Sequence, residues 1–173
     1  MEIVELSADE VVAAADELAQ LLLDAHDSNM ALGLAAPLTA EHAREVWGET
    51  AAKLDPSRRV LLVAREDGRV VGTVQVVRAD AENGMHRAEV QRLAVSAERR
   101  GQGVGRELLD AAVERARGMG LRLLWLTTHA ESGSDRFYAA VGWSRLGTLP
   151  AYSARPDGTL AGSAFYYREL KES

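Results

Sequence analysis

Residues 93–106 read Leu-Ala-Val-Ser-Ala-Glu-Arg-Arg-Gly-Gln-Gly-Val-Gly-Arg, with Gly101, Gly103 and Gly105 set between two periodic segments. Upstream, about His86–Val95 alternates as a long strand. Downstream, about Gly103–Met119 repeats at helical spacing and places Val104, Leu108, Ala112, Val113 and Ala116 on one face. A glycine-rich elbow in that position has a chemical reading of its own. The first turn of a helix leaves backbone N–H groups unpaired, and the helix dipole adds positive potential there. Glycines let the main chain curl around a ligand with no Cβ in the way. Arg100 and Arg106 can add charge-assisted hydrogen bonds. The run Arg100, Gly101, Gln102, Gly103, Val104, Gly105, Arg106 is therefore expected to be an anion cradle suited to a diphosphate. The plainer alternative is a glycine-rich connection with incidental arginines.

Two kinds of diphosphate site fit poorly. A nucleoside triphosphatase loop needs Gly-Lys-Ser/Thr, and here Gly105 is followed by Arg106 and Glu107. A dinucleotide fingerprint beginning at Gly101 requires a glycine at position 106, where arginine stands. What remains is an R-x-x-G-x-G pattern on Arg100, Gly103 and Gly105.

Working outward, residues 2–6 alternate as a short strand, and Ser7 to Glu10 forms a capping box opening a helix to about Leu23. A loop from Asp24 to Leu38 follows, holding His26, Asp27, Asn29 and Pro37. Thr39 caps a second helix to about Leu54. Then the period changes. Arg59–Arg65 and Arg69–Arg78 read as strands joined by a hairpin turn at Glu66-Asp67-Gly68, and Asn83-Gly84 makes a turn before the long strand. After the glycine elbow and its helix come a strand (Leu121–Thr128), a short helix (Ser134–Val141), and two strands (Trp143–Leu149 and Gly162–Leu170) separated by a loop with Pro156-Asp157-Gly158. The order β-α-α-β-β-β-α-β-α-β-β predicts a mixed α/β sandwich in a single domain spanning 1–173.

Bulk properties narrow the functions. A formal net charge of −6 argues against nucleic-acid binding, which needs a basic field. The local cluster Arg92, Arg99, Arg100 and Arg106 suits a small anionic ligand instead. The absence of cysteine excludes disulfides, thiolate metal sites and thiol nucleophiles. The N-terminal acids Glu2, Glu5, Asp9 and Glu10 are unlike a signal peptide, and no apolar run approaches the roughly 20 residues that span a bilayer. A cytoplasmic protein with no membrane partner is expected.

Taken together, Leu93-Ala94-Val95, the elbow 100–105, Phe137-Tyr138 and Val141-Gly142-Trp143 resemble the GNAT superfamily of acyl-CoA N-acyltransferases. The resemblance covers essentially the whole chain, since the element order matches too. It implies a mostly antiparallel sheet of about seven strands, splayed between the fourth and fifth and flanked by about four helices. Acetyl-CoA is the implied cosubstrate, with no metal. Pantetheine would lie in the splay against the backbone of Leu93, Ala94 and Val95, and the amides of 101–106 would take the pyrophosphate. Residues 87–93, 149–152, 156–158 and 165–167 further resemble the tabtoxin-resistance type of acetyltransferase. Thr127 departs from that type, which carries an acid at this place.

Acetyl transfer needs a neutral amine, and an alkylammonium is neutral roughly once in 10³ molecules at pH 7, a cost of ~4–5 kcal/mol. A nearby carboxylate that takes up the proton offsets part of this. Glu89 is the candidate base: by the period of two, Glu89, Gln91 and Leu93 share one strand face, so a cleft lined by Leu93 is lined by Glu89 as well. Its alternative is a solvated acid on an open sheet. The resemblance places the hydroxyl of Tyr138 near the CoA sulfur as proton donor; the alternative is a packed aromatic. His129 reads as a surface histidine before it reads as a ligand contact. His26, Asp27, Tyr152 and Asp157 are candidate acceptor contacts on the 24–38 and 150–160 loops, or ordinary loop residues. The expected acceptor is a small-molecule amine, amino-acid-like or antibiotic-like. A peptide or protein amine, or a non-catalytic acyl-CoA-binding module, stays open. So does a monomer or a homodimer, the apolar 30–37 segment serving either as a dimer contact or as a loop packed on its own domain.

Overall fold

The computed structural model describes residues 1–28, 30, 32–35 and 37–170; Asn29, named above among the loop's polar groups, lies outside them. Strands β1 (Glu2–Glu5), β2 (Arg59–Glu66), β3 (Arg69–Arg78), β4 (Arg87–Val95), β5 (Leu123–His129), β6 (Ser144–Ala154) and β7 (Leu160–Glu169) form one sheet in the order β1-β2-β3-β4-β5-β7-β6. Only β4 and β5 run parallel; the remaining neighbours are antiparallel. Helices α1 (Ala8–Ala13), α2 (Ala15–Asp27) and α3 (Ala40–Ala52) cover one face, and α4 (Val104–Gly118) with α5 (Asp135–Ala140) the other.

Local signals account for much of this. Ser7 and Glu10 close the capping box of α1, and Thr39 Oγ1 accepts from His42 N at the start of α3. Asp67 and Gly68 both take positive φ between the paired Glu66 and Arg69, the geometry that joins two twisted strands through a two-residue turn. The core follows strand alternation. On β2, Val60, Leu62 and Ala64 pack with the α4 stripe, whereas Leu61 and Val63 pack with Val11, Leu18, Leu22 and Trp47.

Two expectations need correction. The first helix is divided at Ala14, giving five α-helices in place of four; the break lets Val11 on α1 and Leu18 and Leu22 on α2 enter the same core. The 150–160 loop is mostly strand: β6 continues to Ala154, and its pairing with β7 skips from Leu149↔Ser163 to Ser153↔Ala161. Pro150 is tolerated because β6 is an edge strand, where a missing N–H costs no ladder bond. The 30–37 segment follows its own-domain alternative, since Leu32, Leu34 and Leu38 pack against the α1–α3 core.

Helices α1–α3 bury only the β1–β3 half of their face. On β4, β5 and β7 the residues Glu89, Gln91, Trp125, Thr127, Phe165 and Tyr167 alternate with core residues and stay partly exposed on that same side. On the opposite face, Gly72 lets α4 sit low on the sheet. A Cβ there would lie 2.9 Å from Leu108 Cδ1, 3.1 Å from the Ala94 carbonyl oxygen and 3.3 Å from Val104 Cγ1. Gly72→Ala is accordingly expected to lower stability by about 1–3 kcal/mol, read as a reduced Tm in thermal unfolding. An unchanged Tm would show that α4 can lift without cost.

Candidate active site

The parallel pairing of β4 and β5 covers Arg87↔Leu123, Ala88↔Leu124 and Glu89↔Trp125 and then stops. Beyond Glu89 the strands diverge, so the β5-facing edge of residues 90–95 has no strand partner. The separation coincides with a bulge on the other side of β4. Thr73 pairs with Ala94 and Gln75 with Gln91, leaving Arg92 and Leu93 opposite the single Val74. A bulge bends its strand and sharpens the twist. Arg92 takes a φ of 51° to make it, a conformation uncommon for a side chain of this size.

The bulge overturns the alternation used for Glu89. Leu93 and Val95 turn towards α4, whereas Glu89, Gln91 and Arg92 face the α3 side. Glu89 thus shares the open face with Trp125, its last partner across the sheet, and not with Leu93. Gln91 Nε2 donates to Glu89 Oε2 at 2.7 Å. Burial raises the Glu89 pKa above the ordinary carboxylate range, and the Gln91 hydrogen bond and the Arg59 charge only partly oppose it. A carboxylate held this way is a better proton acceptor near neutrality than a solvated one.

Tyr138 lies on the other side of the sheet, in the α4-face core. It packs among Phe137, Trp143 and Tyr166, with ring centroids 5.1, 6.4 and 4.7 Å away. Burial raises its pKa, with the neighbouring Tyr166 adding to the shift, so the phenol keeps its proton at neutral pH. Its hydroxyl makes no hydrogen bond among the described residues. Glu89 and Tyr138 therefore flank the diverging strands from opposite faces, one poised to take a proton and the other to hold one.

At the top of the divergence, Gly101 and Gly103 adopt φ of 74° and 90°, and Gly103 is the N-cap of α4. No backbone N–H of residues 101–105 finds an acceptor within the described residues, while Arg106 N and Glu107 N return to the Gly103 carbonyl. Five free amides at a helix N-terminus, with open space above Gly101 and Gly103, fit a diphosphate. The arginines brace this elbow through their side chains. Arg100 Nε donates to the Val95 carbonyl at 3.1 Å, while its other nitrogens reach Ser28 Oγ at 2.7 Å and the Asp24 carbonyl at 3.3 Å. Arg106 donates to the Ala140 carbonyl at the end of α5 at 2.6 Å. Gln102 Nε2 donates to the Glu98 carbonyl, and Arg99 pairs with Glu66. Of the basic cluster seen in the sequence, only Arg92 turns to the open face of the sheet.

The acceptor candidates separate. Tyr152 joins the open face: the β6 bulge, with Ala151 at a φ of 52°, folds its ring onto Phe165 edge-on at 5.1 Å, and Phe165 in turn stacks with Trp125. Asp157 stands at the tip of the β6–β7 hairpin and accepts from Thr159 N and Oγ1, bonds that hold its carboxyl below the usual range. His26 and Asp27 end α2, and both ring nitrogens of His26 are buried with no partner among the described residues. His129 closes β5 with Nδ1 likewise buried and unpartnered among them. Arg59, Arg92, Trp125 and Phe165 were not singled out as acceptor-side residues from sequence. Strand alternation could have placed Trp125 and Phe165 on this face, but no local signal marks the bulge that turns Arg92. Among the described residues, no group of three or more His, Asp or Glu side chains could hold a metal ion, and no helix is long and apolar enough to cross a membrane.

Comparison with known proteins identifies the family and the fold. The acetyltransferase (GNAT) family pattern matches residues 17–143. Mycothiol acetyltransferase of Propionibacterium freudenreichii is 34% identical over 146 residues, 82% of this chain and 45% of that protein. The chain spans about half the length of the curated relatives it matches. Among solved structures, an N-acetyltransferase of Staphylococcus aureus superposes with a TM-score of 0.80 at 22% identity, covering 98% of both chains. A Salmonella typhimurium protein solved with its cofactor acetyl-CoA gives 0.75 at 17% identity, over 100% of this chain and 95% of that one.

Gly103→Ala tests the cradle. Its Cβ meets no protein atom, but the left-handed backbone costs a non-glycine residue about 1–2 kcal/mol. The variant is expected to fold and to bind coenzyme A roughly tenfold more weakly in calorimetry, the worth of about one charge-assisted hydrogen bond. Undiminished affinity would remove the elbow from the binding site.

Proposed function

Because the chain belongs to the acetyltransferase (GNAT) family, we propose that it transfers an acetyl group from acetyl-CoA to the primary amine of a small molecule. One observation carries the reading: β4 and β5 part immediately after Glu89 and Trp125, beneath five unpaired amides at the start of α4. An unpaired strand edge offers hydrogen bonds to the amide groups of a pantetheine arm, and the amides of residues 101–105 offer them to its diphosphate. Bound there, acetyl-CoA supplies a thioester carbonyl to the incoming amine. Leu93, Ala94 and Val95 form the edge that orients it. Arg100 and Arg106 fix the elbow to α2 and α5, so the amides are aimed before a ligand arrives.

Glu89 removes the proton that the amine must lose, directly or through one water, and its burial makes it basic enough for the task. Tyr138, protonated at neutral pH, donates to the departing sulfur. The acceptor occupies the open face between α3 and the β6–β7 hairpin, with Trp125, Phe165 and Tyr152 as an apolar wall. The segments that resemble the tabtoxin-resistance type contribute Glu89, Tyr152 and Phe165 to this face, which favours a small amine over a peptide. Thr127 stands where that type carries an acid, so that type's own acceptor is not carried over to this chain.

Glu89→Gln is expected to reduce kcat/KM by roughly 10²–10⁴-fold at pH 7. The deficit should shrink as pH rises towards the amine's own pKa, because free amine then comes from solvent. Glu89's raised pKa puts the wild-type acid limb above the ordinary carboxylate range, and the variant should lose that limb. A deficit constant with pH would take Glu89 out of the base role. Tyr138→Phe should lower kcat about tenfold, a modest loss because a thiolate leaves far more readily than an alkoxide or an amide ion. If coenzyme A raises Tm but no amine in a broad panel is acetylated, the chain is a binding module.

A further inference from the structure

Arg92 is an unusual cation for this protein. It is partly buried, sits at the β4 bulge, lays its guanidinium over the Trp47 ring at 5.5 Å, and donates to Thr50 Oγ1 at 3.1 Å. No carboxylate lies within 4 Å of it among the described residues. Arg44, Arg58, Arg99, Arg115 and Arg155 each hold an acid, and Arg100 and Arg106 are tied to backbone carbonyls, whereas Arg92 meets only a ring and a hydroxyl. Glu49 on α3, close enough to influence Arg92, is paired with Lys53 instead.

Arg59 on β2 repeats the pattern. It contacts Gln75 Oε1 at 3.3 Å and no acid. Register places it in one row across the sheet with Val77, Glu89 and Trp125. It is partly exposed, at the rim of a depression lined by Asp55, Arg58, Val77 and Asp80 and by neither Glu89 nor Arg92. Beside Arg59, Gln75 is fully buried, and its Nε2 has no partner among the described residues. Glu89 is held by Gln91 and by neither arginine. Two guanidinium groups and one carboxylate leave a single positive charge on a partly desolvated surface beside the base. Such a cation is costly unless an anion meets it, and one carboxylate balances it.

We propose that the acceptor is an amino acid, its carboxylate bound by Arg92 and Arg59 while its amine faces Glu89. This rests on the acetyl-transfer reading and narrows its substrate class. The arginines are specificity-determining groups: they leave the reaction unchanged and select amines that carry a carboxylate.

The test pairs each of the twenty common amino acids with its decarboxylated amine and its carboxamide, and measures acetylation by release of the coenzyme A thiol. The best amino acid should exceed both of its neutral-headed analogues roughly 10- to 100-fold in kcat/KM. In Arg92→Gln the loss should fall on KM for the amino acid and erase most of that preference, with Arg92→Lys restoring part of it. Arg59→Gln is a second variant, should the first fail to fold. Calorimetry with the same pairs in the presence of coenzyme A reads the preference without turnover. Equal use or equal binding of the decarboxylated amines by the wild-type protein would overturn the proposal while leaving acetyl transfer intact. Losses of equal size on both members of a pair in the variants would also overturn it. Failure to bind coenzyme A at all would instead strike the acetyl-transfer reading beneath it.

Discussion

Backbone hydrogen bonding is obligatory, and β4 leaves part of one edge without a strand partner. Up to Glu89 the strand is paired on both sides; beyond it β5 departs, and apart from the Val95 carbonyl, which accepts from Arg100, the polar edge of residues 90–95 must be met by water or by a ligand. Everything else that matters in this fold is arranged around that gap. The bulge at Arg92 and Leu93 bends β4, Gly72 seats the first turn of α4 close against the sheet, and Phe137 on α5 packs near Gly105 and Val95. The gap and the helix N-terminus are thereby brought to one place, and neither could hold an extended diphosphate ligand alone.

The same geometry divides the chemistry between two faces. Tyr138 is enclosed by aromatic rings on the α4 side, where burial keeps its proton on. Glu89 stands on the other side, where partial burial makes it a stronger base than an exposed acid. A reacting group lying in the gap would meet a proton acceptor from one face and a proton donor from the other. Bulges shape both ends of the open face: one turns Arg92 towards α3, and the other folds Tyr152 over Phe165. Non-glycine residues at positive φ, Arg92 and Ala151, mark both. Such backbone is kept only where surrounding structure over-determines it.

Local chemistry was the legible part of the sequence. The capping box at Ser7 and Glu10, the Asp67-Gly68 turn, the α4 stripe and the strand–glycine–helix elbow each declare themselves within a few residues. The rest depends on contacts that are far apart in the chain. Arg100 looks like a ligand-binding arginine by position, yet its guanidinium ties the end of β4 to the Asp24 carbonyl, 76 residues away. Period-two reasoning set Glu89 beside Leu93 and failed at the bulge, because an arginine at a φ of 51° leaves no local mark. The loop expected between Leu149 and Gly162 begins as strand, and only the edge position of β6 makes Pro150 acceptable there.

The central claim is that the parted strands and the glycine elbow form one ligand site. Amide hydrogen exchange with and without saturating acetyl-CoA addresses it most directly. In the free protein the amides of residues 101–105 should exchange fast, having no acceptor, and acetyl-CoA should protect them together with the 90–95 edge. Saturation that leaves both segments unprotected, or that protects only a distant surface, would contradict the account.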